Sequence, residues 1–296
     1  MPIPEQDAVA RGARVLRLDS GFRWPGGCTV AIVFGAAFEC WSDGKTPAIG
    51  PMGNPLPAGA FDTNALSWGK YGAARGMERL LQVADRAGIQ LSVMTSGIFA
   101  ERAPHLLKAM ADAGHEIVAH SFAQDIIPAR LAPEEIQADI ARTTDALASI
   151  TGIKPGGWIS PRGTPGLDSA QFLLDAGYAW HGDVFDDDRP YVQVFETGNM
   201  VAIPLTMDIN DLPHAMRYGH SPRQFVELFD DTLTAALTCE EALIIDVNAH
   251  AHVYGRPAGA WAYEAIANKA RARDDIWIAT RGDIAAHVRQ ATGLER

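Results

Sequence analysis

Apolar and polar positions along the chain follow two different periods. Short apolar runs rich in β-branched residues predict buried strands. Longer stretches in which apolar residues recur every three or four positions predict amphipathic helices. Strands are predicted at 28–35, 89–95, 116–120, 157–160, 178–181, 242–248 and 276–280, and helices at 71–88, 103–113, 133–151, 169–176, 222–237, 259–273 and from 283 onward.

Helices and strands therefore alternate, and no Ser/Gly-rich linker or low-complexity stretch interrupts them. This alternation is typical of parallel strands within one domain. We predict an α/β fold, a distorted or incomplete (β/α) barrel of about seven parallel strands. The single domain spans 1–296, with an N-terminal arm at 1–27 and a long loop at 40–70 after the first strand. That loop is either a lid or binding loop, or a surface or oligomer-contact insertion.

Composition narrows the possible partners and the compartment. The 296 residues are 47% hydrophobic and 21% charged with a net charge of −11, which excludes a disordered chain and disfavours nucleic acid and anionic membranes as partners. The three cysteines are odd in number and share no CxxC spacing, so neither disulfides nor a thiolate zinc site is indicated. Residues 1–15 lack the apolar stretch of a signal peptide, and no apolar run is long enough to span a membrane. We predict a cytoplasmic protein.

Candidate chemistry lies where predicted strands end. The carboxyl ends of the strands of such a barrel meet at one mouth, which is where catalytic groups collect. His250 and His252 point the same way from an extended segment, although a single His at a strand end is commonly a hydrogen-bonded structural residue. The side chain of Trp180 either contacts the substrate or packs in the core. The candidates at the mouth are Glu39, His120, Arg162, Trp180, Asp211, His250 and His252.

Several segments in this order resemble one enzyme superfamily from about Gly21 to Arg289. They read VAIVFGAAFE, AGHEIVAHS, GGWISPRGTP, AGYAWHGDVFDDDRPY and AHAHVYGRP. The chain resembles the polysaccharide deacetylase (NodB-homology) superfamily, and the GRP and DDDRPY segments resemble its allantoinase-type, cyclic imide hydrolase-like branch. The resemblance implies a NodB-like barrel, a small-molecule substrate, hydrolysis of a carbon–nitrogen bond other than a peptide bond, and a homo-oligomer.

The chain departs from the pattern of that superfamily at its metal site. Typical members have two aspartates in the first motif, a base and a metal ligand, and an HxxxH pair in the second. Here Ala37 stands at the base position, Glu39 at the ligand position and Gln124 in place of the second His of the pair that begins at His120. We therefore expect no cofactor. If a divalent metal such as zinc is bound, its ligands are Glu39, His120 and Gln124.

Hydrolysis without a metal favours a cyclic amide, imide or ureide, resembling allantoin, a hydantoin or succinimide. Glu39 or His120 is expected to activate water, and His250 to protonate the leaving nitrogen or polarise the carbonyl. Arg162 is expected to orient the substrate through its fixed fork of donors, with His252, Asp211 and Trp180 as further substrate-binding groups.

Two other functions remain open at this point. The first is a metal-dependent deacetylase of a polysaccharide or another N-acyl substrate, which predicts metal in the purified protein. The second is a catalytically inactive barrel that only binds a small molecule.

Overall fold

The computed structural model describes residues 10–47, 56–57 and 59–294. Every strand in this part of the chain belongs to one ten-stranded sheet. The strands are β1 (Arg14–Arg17), β2 (Val30–Phe38), β3 (Ser92–Thr95), β4 (Glu116–Ala119), β5 (Gly157–Trp158), β6 (Trp180–His181), β7 (Tyr191–Phe195), β8 (Gly198–Ala202), β9 (Leu243–His250) and β10 (Ile276–Ala279).

The strand order is β1-β7-β8-β6-β5-β4-β3-β2-β10, with β9 also paired to β2. The pairs β1–β7 and β7–β8 are antiparallel, and the other described pairs are parallel. The curved sheet does not close on itself. The predicted α/β fold, a distorted and incomplete barrel with mostly parallel strands, is thus confirmed.

Strand β2 is the centre of this arrangement. Its residues 30–33 pair with β10, residues 35–38 pair with β3, and residues 30–37 pair with β9 along the opposite edge. All nine residues of β2 are buried, as expected for a run of small and apolar side chains covered on both faces.

Three strands differ from the sequence prediction. Strand β1 lies within the predicted arm, where Arg14 pairs with Val194 of β7. Strands β7 and β8 form a hairpin in a region with no predicted strand. The strands of this hairpin are short, and β1 consists only of RVLR. Neither the hairpin nor β1 therefore gives an apolar run long enough to be recognised in the sequence.

Most helices pack on one face of the sheet in the larger apolar cluster, whereas the last helix, which carries Ile284, Ala285 and Val288, packs in the second cluster on the other face. Two of the helical segments are π-helical, at 72–76 and 212–217. None of the helices in the described ranges is both long and apolar enough to cross a membrane. The α-helices are α1 (Thr63–Tyr71), α2 (Met77–Ala87), α3 (Phe99–Arg102), α4 (Pro104–Asp112), α5 (Pro133–Thr151), α6 (Ser169–Asp175), α7 (Pro222–Leu237), α8 (Pro257–Arg271) and α9 (Arg281–Thr292).

The predicted loop at 40–70 is only partly a loop. Helix α1 begins at Thr63, because the side chain of Asp62 accepts a hydrogen bond from the Ala65 backbone N–H at 2.8 Å and caps the helix. Residues 48–55 and 58 of the predicted loop lie outside the described residues. Helix α1 brings Trp68, which is buried, towards the carboxyl ends of the strands.

Alternate residues of β2 face two different cores. Ile32, Phe34 and Phe38 pack against the helices in the larger apolar cluster. Val33 and Ala37 face the concave side of the sheet, together with side chains from most of the other strands. The odd-numbered residues of β2 therefore face the concave side, and Glu39 is the next odd-numbered residue after the strand.

Candidate active site

Glu39 follows β2 directly, and its carboxylate is surrounded by three imidazoles. Its Oε1 lies 3.4 Å from His120 Nε2 and 3.8 Å from His250 Nε2, and its Oε2 lies 3.8 Å from His252 Nε2. His120 follows β4, and His250 is the last residue of β9. The ends of parallel strands have thus brought together four of the predicted residues.

Asp211 holds His250 from the side opposite to Glu39. The His250 Nδ1–H donates to Asp211 Oδ1 at 2.6 Å, and the backbone N–H groups of His250 and Tyr254 donate to Oδ2 at 2.8 and 3.0 Å. The Asp211 side chain is fully buried. This contact fixes the orientation of the ring and leaves Nε2 facing Glu39.

The charges of this group are set by their mutual contacts. Burial alone would lower the pKa of His250, but the carboxylates of Asp211 and Glu39 outweigh it and raise the pKa to about 9. Burial alone would raise the pKa of Glu39, but the neighbouring imidazoles, His250 foremost, lower it to about 2. At neutral pH the pair is an imidazolium beside a carboxylate.

His252 lies in a different environment. Its ring is 1% exposed and lies edge-on to Trp41 and Trp68, with ring centroids 5.5 and 4.5 Å away. Burial lowers the pKa of His252 to about 3, so the imidazole is neutral at neutral pH. Its Nδ1 has no hydrogen-bond partner among the described residues.

His120 is oriented by the backbone of the next strand region. Its Nδ1–H donates to the carbonyl of Ile159, which leaves Nε2 towards Glu39. The following residue, Ser121, has a φ of 52°, which is unfavourable for a residue with a side chain. Backbone strain of this kind is commonly found next to functional groups.

A glycine contact supports the turn that carries His252. A Cβ built on Gly76, at the end of the first π-helical segment, would lie 1.8 Å from the carbonyl oxygen of Ala251. The backbone of the helix therefore touches the turn directly, which only glycine allows at this position. The helix thereby fixes the height of His252 above the strand ends.

Comparison with known proteins shows what this chain is similar to. Residues 60–181 match the family model described as polysaccharide deacetylase. The family model assigns these residues to a polysaccharide deacetylase (NodB-homology) domain. As an enzyme it is a hydrolase acting on carbon–nitrogen bonds other than peptide bonds.

Individual relatives extend over most of the chain. A putative polysaccharide deacetylase of Schizosaccharomyces pombe is 22% identical over 240 residues, and the match covers 73% of this chain and 73% of that protein. The structure of a probable polysaccharide deacetylase from Pseudomonas aeruginosa PAO1 is 25% identical and has a TM-score of 0.83, covering 92% of this chain and 95% of its own. The structure of Puue allantoinase is 23% identical with a TM-score of 0.82, covering 93% and 94%.

The donor set of this deacetylase-family site does not fit a catalytic zinc ion. Gln124, at the position of the second motif histidine, donates its amide to Ser96 Oγ at 3.2 Å and to the His120 carbonyl at 3.3 Å. Within the described ranges no group of three or more His, Cys, Asp or Glu side chains is arranged to hold a metal ion.

Two of the predicted residues are not brought to Glu39. Arg162 is exposed on the turn after β5 with a φ of 61°, and among the described residues its guanidinium makes no recorded hydrogen bond or ion pair. Trp180 is 1% exposed in the concave core, where it covers Gly157 and lies 6.0 Å from the Arg281 guanidinium. The packing of Trp180 is that of a core residue, in line with the alternative noted for it from the sequence.

Two polar side chains near the cluster were not predicted. Ser96 follows β3, and its hydroxyl accepts hydrogen bonds from Gln124 and from the Cys40 backbone N–H. Asn248 precedes His250 by two residues on β9 and is 2% exposed. A period of two counted back from His250 would have placed Asn248 on the same face of the sheet.

Proposed function

We propose that this protein hydrolyses a carbon–nitrogen bond within a small cyclic amide, imide or ureide, with the ionised groups of the cluster in place of a metal. The observation that carries the proposal is the line of contacts Asp211–His250–Glu39. It places a charged proton donor next to a carboxylate at the mouth of the barrel.

His250 is suited to be the general acid. With a pKa of about 9 its imidazole is protonated at neutral pH, and its Nδ1–H is retained by Asp211. The proton on Nε2 is therefore the one available for transfer. Given to the nitrogen of the ring, it allows that nitrogen to leave as a neutral group.

Glu39 is suited to receive the proton of the attacking water. Its pKa of about 2 is held low chiefly by the charge on His250. That charge disappears when His250 gives its proton to the leaving nitrogen, so Glu39 becomes more basic in the same step. The water oxygen bonds to the carbonyl carbon, the carbon–nitrogen bond breaks, and Glu39 returns its proton to His250 across 3.8 Å. His120, beside Glu39, stays open as the alternative base.

Ring substrates suit this machinery better than acetamides. The leaving nitrogen of an imide or ureide is stabilised by its second carbonyl, whereas the amine of an acetamide is a poor leaving group that metal-assisted enzymes activate through the carbonyl. The structure of Puue allantoinase shares this fold, so the fold is compatible with a cyclic ureide substrate. Arg162, close to the strand ends in sequence, stays a predicted contact for the substrate.

The proposal is tested on purified protein by elemental analysis together with a hydrolysis assay. The substrates are allantoin, hydantoin, dihydrouracil, succinimide and an N-acetylglucosamine oligomer, each with and without chelator. We expect one or more rings to be opened, with turnover unaffected by chelator. Release of acetate that depends on stoichiometric zinc would instead establish a metal-dependent deacetylase. Tight binding of one ring without turnover would establish an inactive binding barrel.

A further inference from the structure

One buried amide on the concave face of the sheet has an oxygen that is unpaired within the described part of the chain. Asn248 lies on β9 between Asp246 and His250, and all three side chains point to the same face because strand residues alternate. Asp246 binds the buried Arg281, and His250 binds Asp211. Asn248 Oδ1, in contrast, has no hydrogen-bond partner among the residues that the structure describes.

The neighbouring strand makes room for this amide. Gly35 of β2 pairs with Asn248, and a Cβ on Gly35 would lie 1.9 Å from Asn248 Oδ1. The carboxamide therefore occupies the place of the missing side chain. The next residue on the same face of β2 is Ala37, which pairs with His250. Between Asn248 and Glu39, β2 thus contributes no side chain longer than a methyl group.

The position of Asn248 relative to His250 suits a small ring. The Cα atoms of two successive residues on one face of a strand are about 6.6 Å apart, so a single five- or six-membered ring can contact the side chains of both. A ring bound to Asn248 through one N–H and the adjacent carbonyl would have the other carbon–nitrogen bond of the same nitrogen towards His250 Nε2. The proton donor would then face the ring bond that is to be broken.

We propose that the carboxamide of Asn248 binds the amide edge of the ring substrate and selects rings with an unsubstituted N–H next to a carbonyl. This inference rests on the proposed function. A small ring forces its amide into the cis form, in which N–H and C=O point to the same side, so both can pair with one carboxamide. The trans amide of an N-acetyl group points them to opposite sides and can make only one of the two hydrogen bonds.

The test compares succinimide with N-methylsuccinimide in the wild type, in Asn248→Leu and in Asn248→Asp. We expect wild type to prefer succinimide by roughly 100-fold in kcat/KM, because the methyl group removes the donor. Both variants should lose roughly 10- to 100-fold on succinimide, mainly through KM, and should lose most of the preference. Asn268→Leu, on the exposed face of α8, is the matched control and should behave as wild type.

Stability distinguishes recognition from a structural role. Because Asn248 leaves a buried polar atom unpaired, Asn248→Leu should melt at the same temperature as wild type or higher. A variant that keeps the wild-type preference for succinimide overturns the inference and leaves the proposed function intact. If Asn248→Leu is unfolded, the preference for succinimide over N-methylsuccinimide is measured in the near-isosteric Asn248→Asp instead, and the same outcome overturns the inference. Failure of wild type to open any ring overturns the proposed function and the inference together.

Discussion

The carboxylate of Asp211 binds both the side chain and the backbone of His250. One oxygen accepts the ring Nδ1–H and the other accepts the backbone N–H. Ring orientation, protonation and the path of the chain at this point therefore depend on the same buried group. In the proposed reaction, this contact keeps His250 ready to donate its proton.

Replacing Asp211 by Asn should move the pH dependence of the reaction. The change removes the negative charge that raises the pKa of His250, so the pKa should fall below about 9. Because the acid must be protonated, the basic limb of the kcat profile should move to lower pH. Asp231→Asn, exposed on α7, is the control. An unchanged basic limb would show that His250 is not the acid.

The same contact should make stability depend on pH. The folded pKa of His250 lies above its ordinary value of 6.5, so its contribution to the free energy of unfolding is complete below about pH 6.5 and is lost as pH rises through about 9. The difference in stability between wild type and Asp211→Asn should thus shrink from pH 6.5 to 10. Chemical denaturation at several pH values measures it.

Replacing Glu39 by Gln, or His120 by Ala, should lower kcat while the fold is kept. A group that takes a proton in the transition state typically contributes about 10²- to 10⁴-fold. The larger loss identifies the base, because the other residue then acts only through orientation. Glu227→Gln, exposed on α7, controls for the chemical change. Near-normal turnover in both variants would contradict the proposed mechanism.

Replacing Gly76 by Ala should disturb the turn that carries His252. The added methyl group meets the carbonyl of Ala251 and forces the helix or the turn to move, which costs about 1–3 kcal/mol of unfolding free energy. Activity should fall as well, because His252 moves with the turn. Gly156→Ala is the matched control, since a Cβ there meets nothing within 4 Å. Equal stability of the two variants would refute the close contact.

Replacing Trp41 by Leu should change the ionisation of His252. The pKa of His252 is low because the ring is buried, and Trp41 covers one side of it. Water admitted by the smaller side chain should raise the pKa from about 3 towards 6.5. Titration of the imidazole proton by NMR measures the shift, with Trp261→Leu on the surface of α8 as the control. No shift would mean that Trp41 does not shield the ring.

Replacing Arg162 by Gly should raise the stability of the protein and weaken the binding of the substrate. Glycine adopts a φ of 61° without strain, so the free energy of unfolding should rise by up to about 1 kcal/mol. If Arg162 orients the substrate as predicted, KM should rise at the same time. Arg162→Lys keeps a charge and should restore part of the affinity. An unchanged KM in Arg162→Gly would remove Arg162 from the site.

The sequence was sufficient to place the parallel strands and to bring Glu39, His120 and His250 to one mouth. A change in the period of apolar residues marks where each strand ends, and the carboxyl ends of parallel strands lie on the same side of the sheet. The position of these three residues can therefore be predicted from the sequence alone. His252 and Asp211 also lie there. The cytoplasmic location, the homo-oligomer and the single domain stay predictions.

Other features depend on packing that the pattern does not contain. Trp180 lies on a two-residue strand, too short to reveal by alternation which face its ring takes. The turn geometry of Arg162 is set by its neighbours, and β1 finds its partner about 180 residues away. Asn248 lies two residues before His250 and therefore faces the same side of the sheet. That its Oδ1 has no hydrogen-bond partner among the described residues is visible only in the structure.

The central position of β2 sets the order in which the molecule can be assembled. Glu39 follows this strand, which is synthesised well before its partners β9 and β10. Strand β3 can pair with residues 35–38 early, but residues 30–33 and the whole opposite edge of β2 stay unpaired in the nascent polypeptide until β9 and β10 have left the ribosome. During biosynthesis, residues 30–38 are therefore an apolar segment open to aggregation until these partners arrive.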